Sequence, residues 1–385
     1  MSGATAATSG GAAERLLIVR LPLQTLARDR VLLKGLRRLG HEVAERLLPS
    51  TERGRHLRVA SELWGLGRRY DAVLIGYGCP SGAIIAGLTS AARVVFNAAH
   101  SMYEAVVLDR QACPEDSARA WLARLKDSLA FRSSDQVLVE SESQREFLAR
   151  GFGVRRDKLV VSYTGADDEE FHPDPAVPKR EVFTAVFRGG FLPATGVQHV
   201  VEAARLLARD DVRVLILGRG MLEADLRAQV ERQAVRNVEI VTEFLSPEEL
   251  RRTMLSCHVC LGQFSAHPRL ERTIQNKTFE ALALGLPYVT MGSRSNREIL
   301  TDGVTCLFVP PGDPEALAER IRELKRDADL RERLGDEGHR LYEQRFRPEA
   351  IARSFVDAVL RGPGYPPQSL RTSLNSPTIS RTPAR

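Results

Sequence analysis

Residues 263–300 read QFSAHPRLERTIQNKTFEALALGLPYVTMGSRSNREIL, and the fold is decided at their centre. Asn276-Lys277-Thr278-Phe279-Glu280-Ala281-Leu282-Ala283-Leu284-Gly285-Leu286-Pro287 spells one short helix. Asn276 is placed as its N-cap, Phe279, Leu282 and Ala283 share a face at i, i+3 and i+4, and Gly285 with Pro287 ends it. Lys277 and Glu280 stand three residues apart on another face, at the positive end of the helix. A cation there suits a phosphate, and a carboxylate there suits a sugar hydroxyl.

Outward from this helix the chain alternates. Residues 259–261 before it and 288–291 after it are short apolar runs suited to buried strands. Upstream, 183–187, 212–217 and 238–241 read as strands, with helices at 197–208 and 222–233 and a well-marked helix start at Ser246-Pro247-Glu248-Glu249. Downstream come a strand at 305–309, a helix at 314–325 and a last helix at 343–360, interrupted at Arg347-Pro348. A first set precedes these, with strands at 16–19, 71–76, 93–97, 136–139 and 158–163 and helices at 30–39, 117–132 and 144–150. Strand alternating with helix, the strands apolar on both faces, is the pattern of doubly wound α/β domains, where ligands bind outside the carboxyl ends of the strands. Pro173, Pro175 and Pro178 mark a linker. The expected division is a first domain at 15–172, a linker at 173–180, a second domain at 181–345 and a C-terminal helix at 346–361 packing back toward the first domain. Residues 1–14 and the basic tail 362–385 are expected to be disordered.

Length and charge bound what these domains serve. The 385 residues suffice for two ordinary domains, each with its own core. The formal charge is +6, from 55 basic and 49 acidic residues, and no basic run is visible, so a nucleic-acid partner is set aside. Five scattered cysteines argue against a disulfide framework and for a reducing compartment. Cys257-His258-Val259-Cys260 supplies too few ligands for zinc, at a point where a helix passes into a strand. No stretch approaches the ~18 apolar residues of a membrane span, and residues 1–14 lack a signal-peptide pattern. A cytoplasmic protein is expected, able to touch the inner face of a membrane peripherally. Helix 117–132 bears on this, with Trp121, Leu122, Leu125 and Leu129 on one side and Arg119, Arg124 and Lys126 mostly elsewhere. Its apolar face is expected to pack on strand 136–139, the alternative being anionic lipid. The acidic run Asp167-Asp168-Glu169-Glu170 is expected to be a solvated turn.

Three further features point to chemistry. His100 falls just past the end of strand 93–97. Arg188-Gly189-Gly190 and Gly218-Arg219-Gly220 each follow a strand, and neither completes the dinucleotide fingerprint. Together they offer backbone amides for a diphosphate at neighbouring strand ends.

From about residue 133 to 355 the sequence resembles the retaining glycosyltransferases of family 4, which have the two-domain GT-B architecture. The resemblance is carried by Ser134-Asp135-Gln136-Val137 with Ser141, by Thr164-Gly165-Ala166-Asp167 with Phe171-His172-Pro173, by Val186-Phe187-Arg188-Gly189-Gly190, and by Leu217-Gly218-Arg219-Gly220. Most specific is Lys277-Thr278-Phe279-Glu280-Ala281-Leu282-Ala283-Leu284-Gly285-Leu286-Pro287, similar to the family's K-x-x-E-A-h-A-x-G-x-P signature. The resemblance implies two Rossmann-like domains facing a cleft. It also implies a hexosyltransferase-like enzyme that moves a sugar from a nucleotide-diphosphate sugar to a glycan, lipid-linked or small-molecule acceptor, with retention. No cofactor or bound metal is implied beyond the nucleotide sugar as co-substrate. Glu280 matches the residue holding the ribose hydroxyls, Lys277 and Arg188 are placed on the diphosphate, Gly189, Gly190 and Gly218 allow close approach of backbone, and His100 matches the histidine near the donor sugar.

The sequence departs from the family where the sugar would lie. The family's first glutamate would fall at position 272, which is Arg272, and Glu271 is one residue out of register. Either Glu271 reaches the sugar from an irregular loop, or backbone amides and Arg272 replace it. A phosphate-binding lysine is replaced by Thr195, and Leu21-Pro22-Leu23-Gln24 stands where a glycine pair is usual. The competing reading is a catalytically silent GT-B protein that binds a sugar nucleotide as a partner or regulatory subunit. A GT-B epimerase is disfavoured, since no acidic groups for sugar deprotonation accompany the motifs.

Overall fold

The computed structural model describes residues 13–20, 27–47, 63–64, 69–110 and 112–361. The expectations for residues 1–12, 21–24 and 362–385 lie outside the described residues. Glu14, expected to be disordered, is buried, and its backbone N–H donates to His41 Nδ1 at 3.1 Å.

Among the described residues there are two parallel six-stranded sheets. The first contains β1 (Arg15–Arg20), β2 (Glu42–Leu47), β3 (Ala72–Ile75), β4 (Arg93–Ala99), β5 (Gln136–Val139) and β6 (Leu159–Val161), in the order β2-β1-β3-β4-β5-β6. Its helices are α1 (Ala27–Arg38), α2 (Pro80–Thr89), α3 (Ala118–Ser133) and α4 (Glu142–Phe152). The second contains β7 (Phe183–Arg188), β8 (Val212–Leu217), β9 (Val238–Val241), β10 (Val259–Leu261), β11 (Tyr288–Met291) and β12 (Leu307–Val309), in the order β12-β11-β10-β7-β8-β9. With it come α5 (Val197–Leu206), α6 (Glu223–Arg232), α7 (Pro247–Leu255), α8 (Asn276–Ala283), α9 (Arg294–Arg297), α10 (Pro314–Arg326) and α11 (Ala328–Arg345). This is the two-domain, Rossmann-like GT-B arrangement that the resemblance implies. Each sheet reverses its winding once, between β1 and β3 and between β7 and β10. Such switch points open crevices at the strand ends.

The last α-helix among the described residues, α12 (Pro348–Phe355), lies against α1. The approach is close enough that a Cβ on Gly35 would sit 1.9 Å from the Pro348 carbonyl oxygen. The acidic turn before the linker differs from expectation. Asp167 and Glu169 pair with Lys34, Asp168 and Glu169 with Arg38, and Glu170 with Arg30, so the turn is clamped to α1 rather than left to solvent.

Two other local readings change. The residue preceding α8 is Gln275, not Asn276, and its side chain makes no capping bond. The stop is as read: Gly285 takes φ +65°, its N–H reaches the Leu282 carbonyl, and Leu286 N–H reaches that of Ala281, which closes the helix as a Schellman turn. Helix α3 turns its apolar stripe the other way. Trp121 (61% exposed), Leu122, Leu125 and Leu129 face outward, whereas Ala120, Asp127, Ala130 and Phe131 are buried. Small residues and one large ring fit the close packing on α2, where a Cβ on Gly87 would meet the Ser133 carbonyl oxygen at 2.1 Å. The buried Asp127 accepts a hydrogen bond from Tyr103 N–H at 2.7 Å.

Candidate functional site

The two sheets point their carboxyl ends at one polar cavity of about 290 Å³. On the second-sheet side, β7 ends at Arg188 and the chain turns through Gly189 at φ +155°. A Cβ on Gly189 would lie 2.8 Å from Lys277 Nζ, and one on Gly218 (φ +148°) would lie 1.9 Å from the Gly189 carbonyl oxygen. Glycine at both positions lets the two loops stack and lets Lys277 rise beneath them. Thr195 also lines this wall, its hydroxyl 2.7 Å from the Leu192 carbonyl oxygen and 3.1 Å from that of Gly190.

Helix α8 brings its first turn to the cavity, with Asn276 and Lys277 in the wall. Lys277 Nζ reaches the Gly262 carbonyl oxygen at 3.3 Å and lies 3.7 Å from the centre of the Phe187 ring. Burial pushes its pKa down to about 7; Arg188 pushes the same way and Glu280 opposes. Glu280, one turn on, is buried and lines no described cavity, because Arg188 Nη1 holds both its carboxylate oxygens at 2.8 and 2.9 Å. Burial raises the Glu280 pKa against the pull of Arg188 and Lys277.

The first-sheet wall is built where β4 breaks. Its register against β5 shifts between Asn97 and Ala99, and Ala99 takes φ 49°, a left-handed conformation rare outside glycine. This kink turns His100 into the cavity, where its Nε2 lies 2.7 Å from the Tyr77 hydroxyl. Burial, then the charges of Arg269, Arg110, Arg28 and Arg272, hold the His100 pKa well below its usual value, so the ring is neutral at pH 7. Burial pushes the Tyr77 phenol up to about 12.

The segment ahead of α8 crosses between the walls. Arg269 lines the cavity, forms an ion pair with Asp109 and places Nη2 3.4 Å from both nitrogens of His100. Thr273 donates its hydroxyl to Glu140 at 2.7 Å. Glu271 and Arg272 do not line the cavity. Glu271 accepts from the Arg294 backbone N–H at 2.9 Å, and Arg272 stacks on Phe147 and pairs with buried Glu104 at 3.1 Å. The four-residue 3-10 turn over Pro268–Glu271 sets this: it winds Arg269 inward and the next residues away.

Arg28, Tyr77, Glu140 and Arg269 line the cavity and were not singled out by sequence. Glu140 directly follows β5, so its strand-end position was a usable signal. Arg28 had none, because the helix expected from residue 30 starts at Ala27. A second hollow of about 360 Å³ shares Arg188, Gly189 and Gly190 and extends past Gly218 and Arg219 to Phe244, which is 80% exposed. Away from the site, His258 Nδ1 accepts from Thr184 N–H and stacks on Phe183, and burial raises the thiols of Cys257 and Cys260. Among the described residues no cluster of His, Cys, Asp and Glu could hold a metal ion, and no helix is long and apolar enough to cross a membrane.

Comparison with known proteins fits these two halves separately. Residues 182–327 match the family model described as glycosyl transferases group 1, and residues 23–170 match glycosyltransferase family 4. The chain is 24% identical to an alpha-D-kanosaminyltransferase of Streptomyces kanamyceticus, over 54% of this chain and 47% of that protein. It is 25% identical to a D-inositol 3-phosphate glycosyltransferase of Kribbella flavida, over 65% of this chain and 62% of that protein. It therefore spans roughly half to three fifths of these curated relatives. Among solved structures, Anabaena HepE in complex with UDP-glucose superposes with a TM-score of 0.70 at 15% identity, covering 90% of this chain and 99% of that one. That likeness concerns the fold.

Proposed function

Since the chain belongs to the group 1 glycosyltransferases of family 4, we propose that it moves a sugar from a nucleotide-diphosphate sugar to an acceptor hydroxyl with retention of anomeric configuration. The observation that carries this is the placement of Lys277, Arg188, Gly189, Gly190 and the start of α8 on one wall, opposite His100 and Tyr77. The diphosphate lies on the first group, with the nucleoside running toward Gly218 and Phe244 and the sugar toward His100. The anomeric carbon–oxygen bond breaks with its electron pair left on the leaving phosphate. The acceptor oxygen attacks the same face, and its proton passes to that phosphate. Preorganised cations and a helix N-terminus stabilise the departing charge, the role a metal ion fills elsewhere. Neutral His100 faces the sugar, and the positive charge on that side of the cavity is carried by Arg269, 3.4 Å from the ring nitrogens.

Arg188 has two jobs in this scheme. The diphosphate draws it off Glu280, and the freed carboxylate takes the ribose hydroxyls. For the acceptor side we propose contact with an anionic bilayer through α3. The exposed stripe of Trp121, Leu122, Leu125 and Leu129 supports this, because Arg119, Lys126 and Arg132 flank it and the helix's one acid, Asp127, is buried.

The function is tested by screening UDP, GDP, ADP and their sugars for thermal stabilisation, then measuring donor hydrolysis and transfer for wild type and Glu280→Ala. Turnover by wild type well above the variant is expected. Binding of donor with no faster turnover than Glu280→Ala instead establishes the silent sugar-nucleotide-binding reading, which Glu271 facing away from the cavity favours.

A further inference from the structure

We propose that Arg28 and Arg269 form an anion-binding subsite on the first-sheet wall of the cavity, which receives a carboxylate or phosphate group carried by the acceptor or by the transferred sugar. This rests on the donor reading above and adds a substrate class to it. Arg28 is 3% exposed, yet among the described residues only its Nη2 finds a partner, the Val139 carbonyl oxygen at 3.1 Å. Its Nε and Nη1 are buried without one, as is Nε of Arg269. Buried guanidinium donors left unmet are expensive, and most such groups are satisfied by protein or water. Both side chains line the cavity, so a ligand there is the natural partner.

A purely structural role does not account for this arrangement. Burial lowers the Arg28 pKa, and the nearby carboxylates of Glu140 and Asp29 oppose that lowering. A guanidinium serving only as their counter-ion would form bidentate bonds, but its Nε and Nη1 bond to neither, and Glu140 is hydrogen-bonded by Thr273. Arg269 likewise spends Nη1 on Asp109 and turns Nη2 toward His100. The donor diphosphate has its own cations, Arg188 and Lys277, on the opposite wall. Two guanidinium forks on the sugar-facing wall therefore select a second anion, in the planar geometry that suits carboxylate or phosphate.

The test uses the full chain. Calorimetry with UDP, GDP and ADP first examines the donor reading by itself. In the acceptor arm, protein saturated with the nucleotide that binds is titrated with glucose 6-phosphate, glucuronate and glucose. In the donor arm, UDP-glucuronate is compared with UDP-glucose. The expected result is a preference of about tenfold or more for the charged ligand in one arm, the size of one charge-assisted hydrogen bond. The arm in which it occurs tells whether acceptor or sugar carries the anion. Arg28→Gln and Arg269→Gln should each remove most of that preference, and Arg28→Lys should keep part of it. Charged and neutral ligands binding within about twofold in both arms overturns the proposal. So does a preference that survives both glutamine variants, or an Arg28→Gln effect confined to the nucleoside diphosphate. If no nucleotide binds, the donor reading fails, and the same acceptor-arm ratio measured on free protein decides the subsite. If circular dichroism shows Arg28→Gln unfolded, Arg28→Lys and Arg269→Gln carry the comparison.

Discussion

Lys277 makes the proposed donor site testable by pH alone. Its buried ammonium has a pKa lowered from 10.5 to about 7, so near pH 7 half of the unliganded molecules carry it neutral. A diphosphate against Nζ favours the charged form. The pKa therefore rises on binding, and at pH above 7 binding takes up a proton. Between pH 7 and pH 9 the protonated fraction of free protein falls from about one half to about one hundredth. Affinity for the nucleoside diphosphate should fall with it by about 50-fold, or about 2 kcal/mol. This window avoids the titration of the terminal phosphate, whose second pKa is near 6.

Calorimetry in buffers of different ionisation enthalpy reads both affinity and proton uptake. Uptake should rise from about half a proton near pH 7 toward one near pH 9. The free nucleoside, with no phosphate to meet the ammonium, should show neither effect. Lys277→Ala should bind the diphosphate more weakly and without this pH dependence, while losing less affinity for the nucleoside. Wild-type affinity constant within about twofold across the window refutes the reasoning, as do equal losses for both ligands in Lys277→Ala.

Three other outcomes are expected. Gly218→Ala forces a side chain onto φ +148° and against the Gly189 carbonyl oxygen; a loss of roughly 2–3 kcal/mol in urea unfolding should result, together with weaker nucleotide binding. Arg272→Met strands Glu104, which is 1% exposed. Destabilisation of about 3–5 kcal/mol is expected, partly recovered in Arg272→Met/Glu104→Gln, and a double-mutant cycle of unfolding free energies checks it. Leu125→Glu should abolish co-sedimentation with vesicles rich in anionic lipid, and raised salt should weaken wild-type binding; equal binding to neutral and anionic vesicles would contradict the α3 assignment.

Much of this architecture was legible because parallel strands buried on both faces need continuous apolar runs. Residues 214–217 of β8 and Ala72–Ile75 are such runs, and Gly218 at the end of the first marks a close approach of backbone. The α8 stop was legible for a related reason, since the left-handed residue of a Schellman turn is nearly always glycine. The orientation of α3 was not legible, because periodicity marks a stripe without saying which stripe meets the neighbouring helix. Packing against Gly87 demanded small residues, so the larger apolar side chains were displaced outward. Arg28 and Arg269 were hidden because their significance is tertiary: each becomes a site residue only when the opposite sheet closes over it.

The altered register at position 272 follows from that closure. The segment ahead of α8 binds the first domain along its length: Arg269 holds Asp109, Arg272 holds Glu104 and accepts the Ser141 hydroxyl at its carbonyl, and Thr273 holds Glu140. Just beyond α8 and β11, Glu298 accepts the backbone N–H groups of Glu142 and Ser143 at the start of α4. A carboxylate at position 272 would face Glu104, 1% exposed and already hydrogen-bonded to Ser101 and Gln144. Two buried like charges there would destabilise the closed arrangement. The arginine thus serves the domain interface, and it does not line the cavity. On the wall proposed to face the sugar this chain presents a cation, Arg269, beside a neutral histidine. A neutral hexose would leave that guanidinium's Nε unmet, and this is why the substrate class, rather than the fold, is where this chain should differ from its relatives.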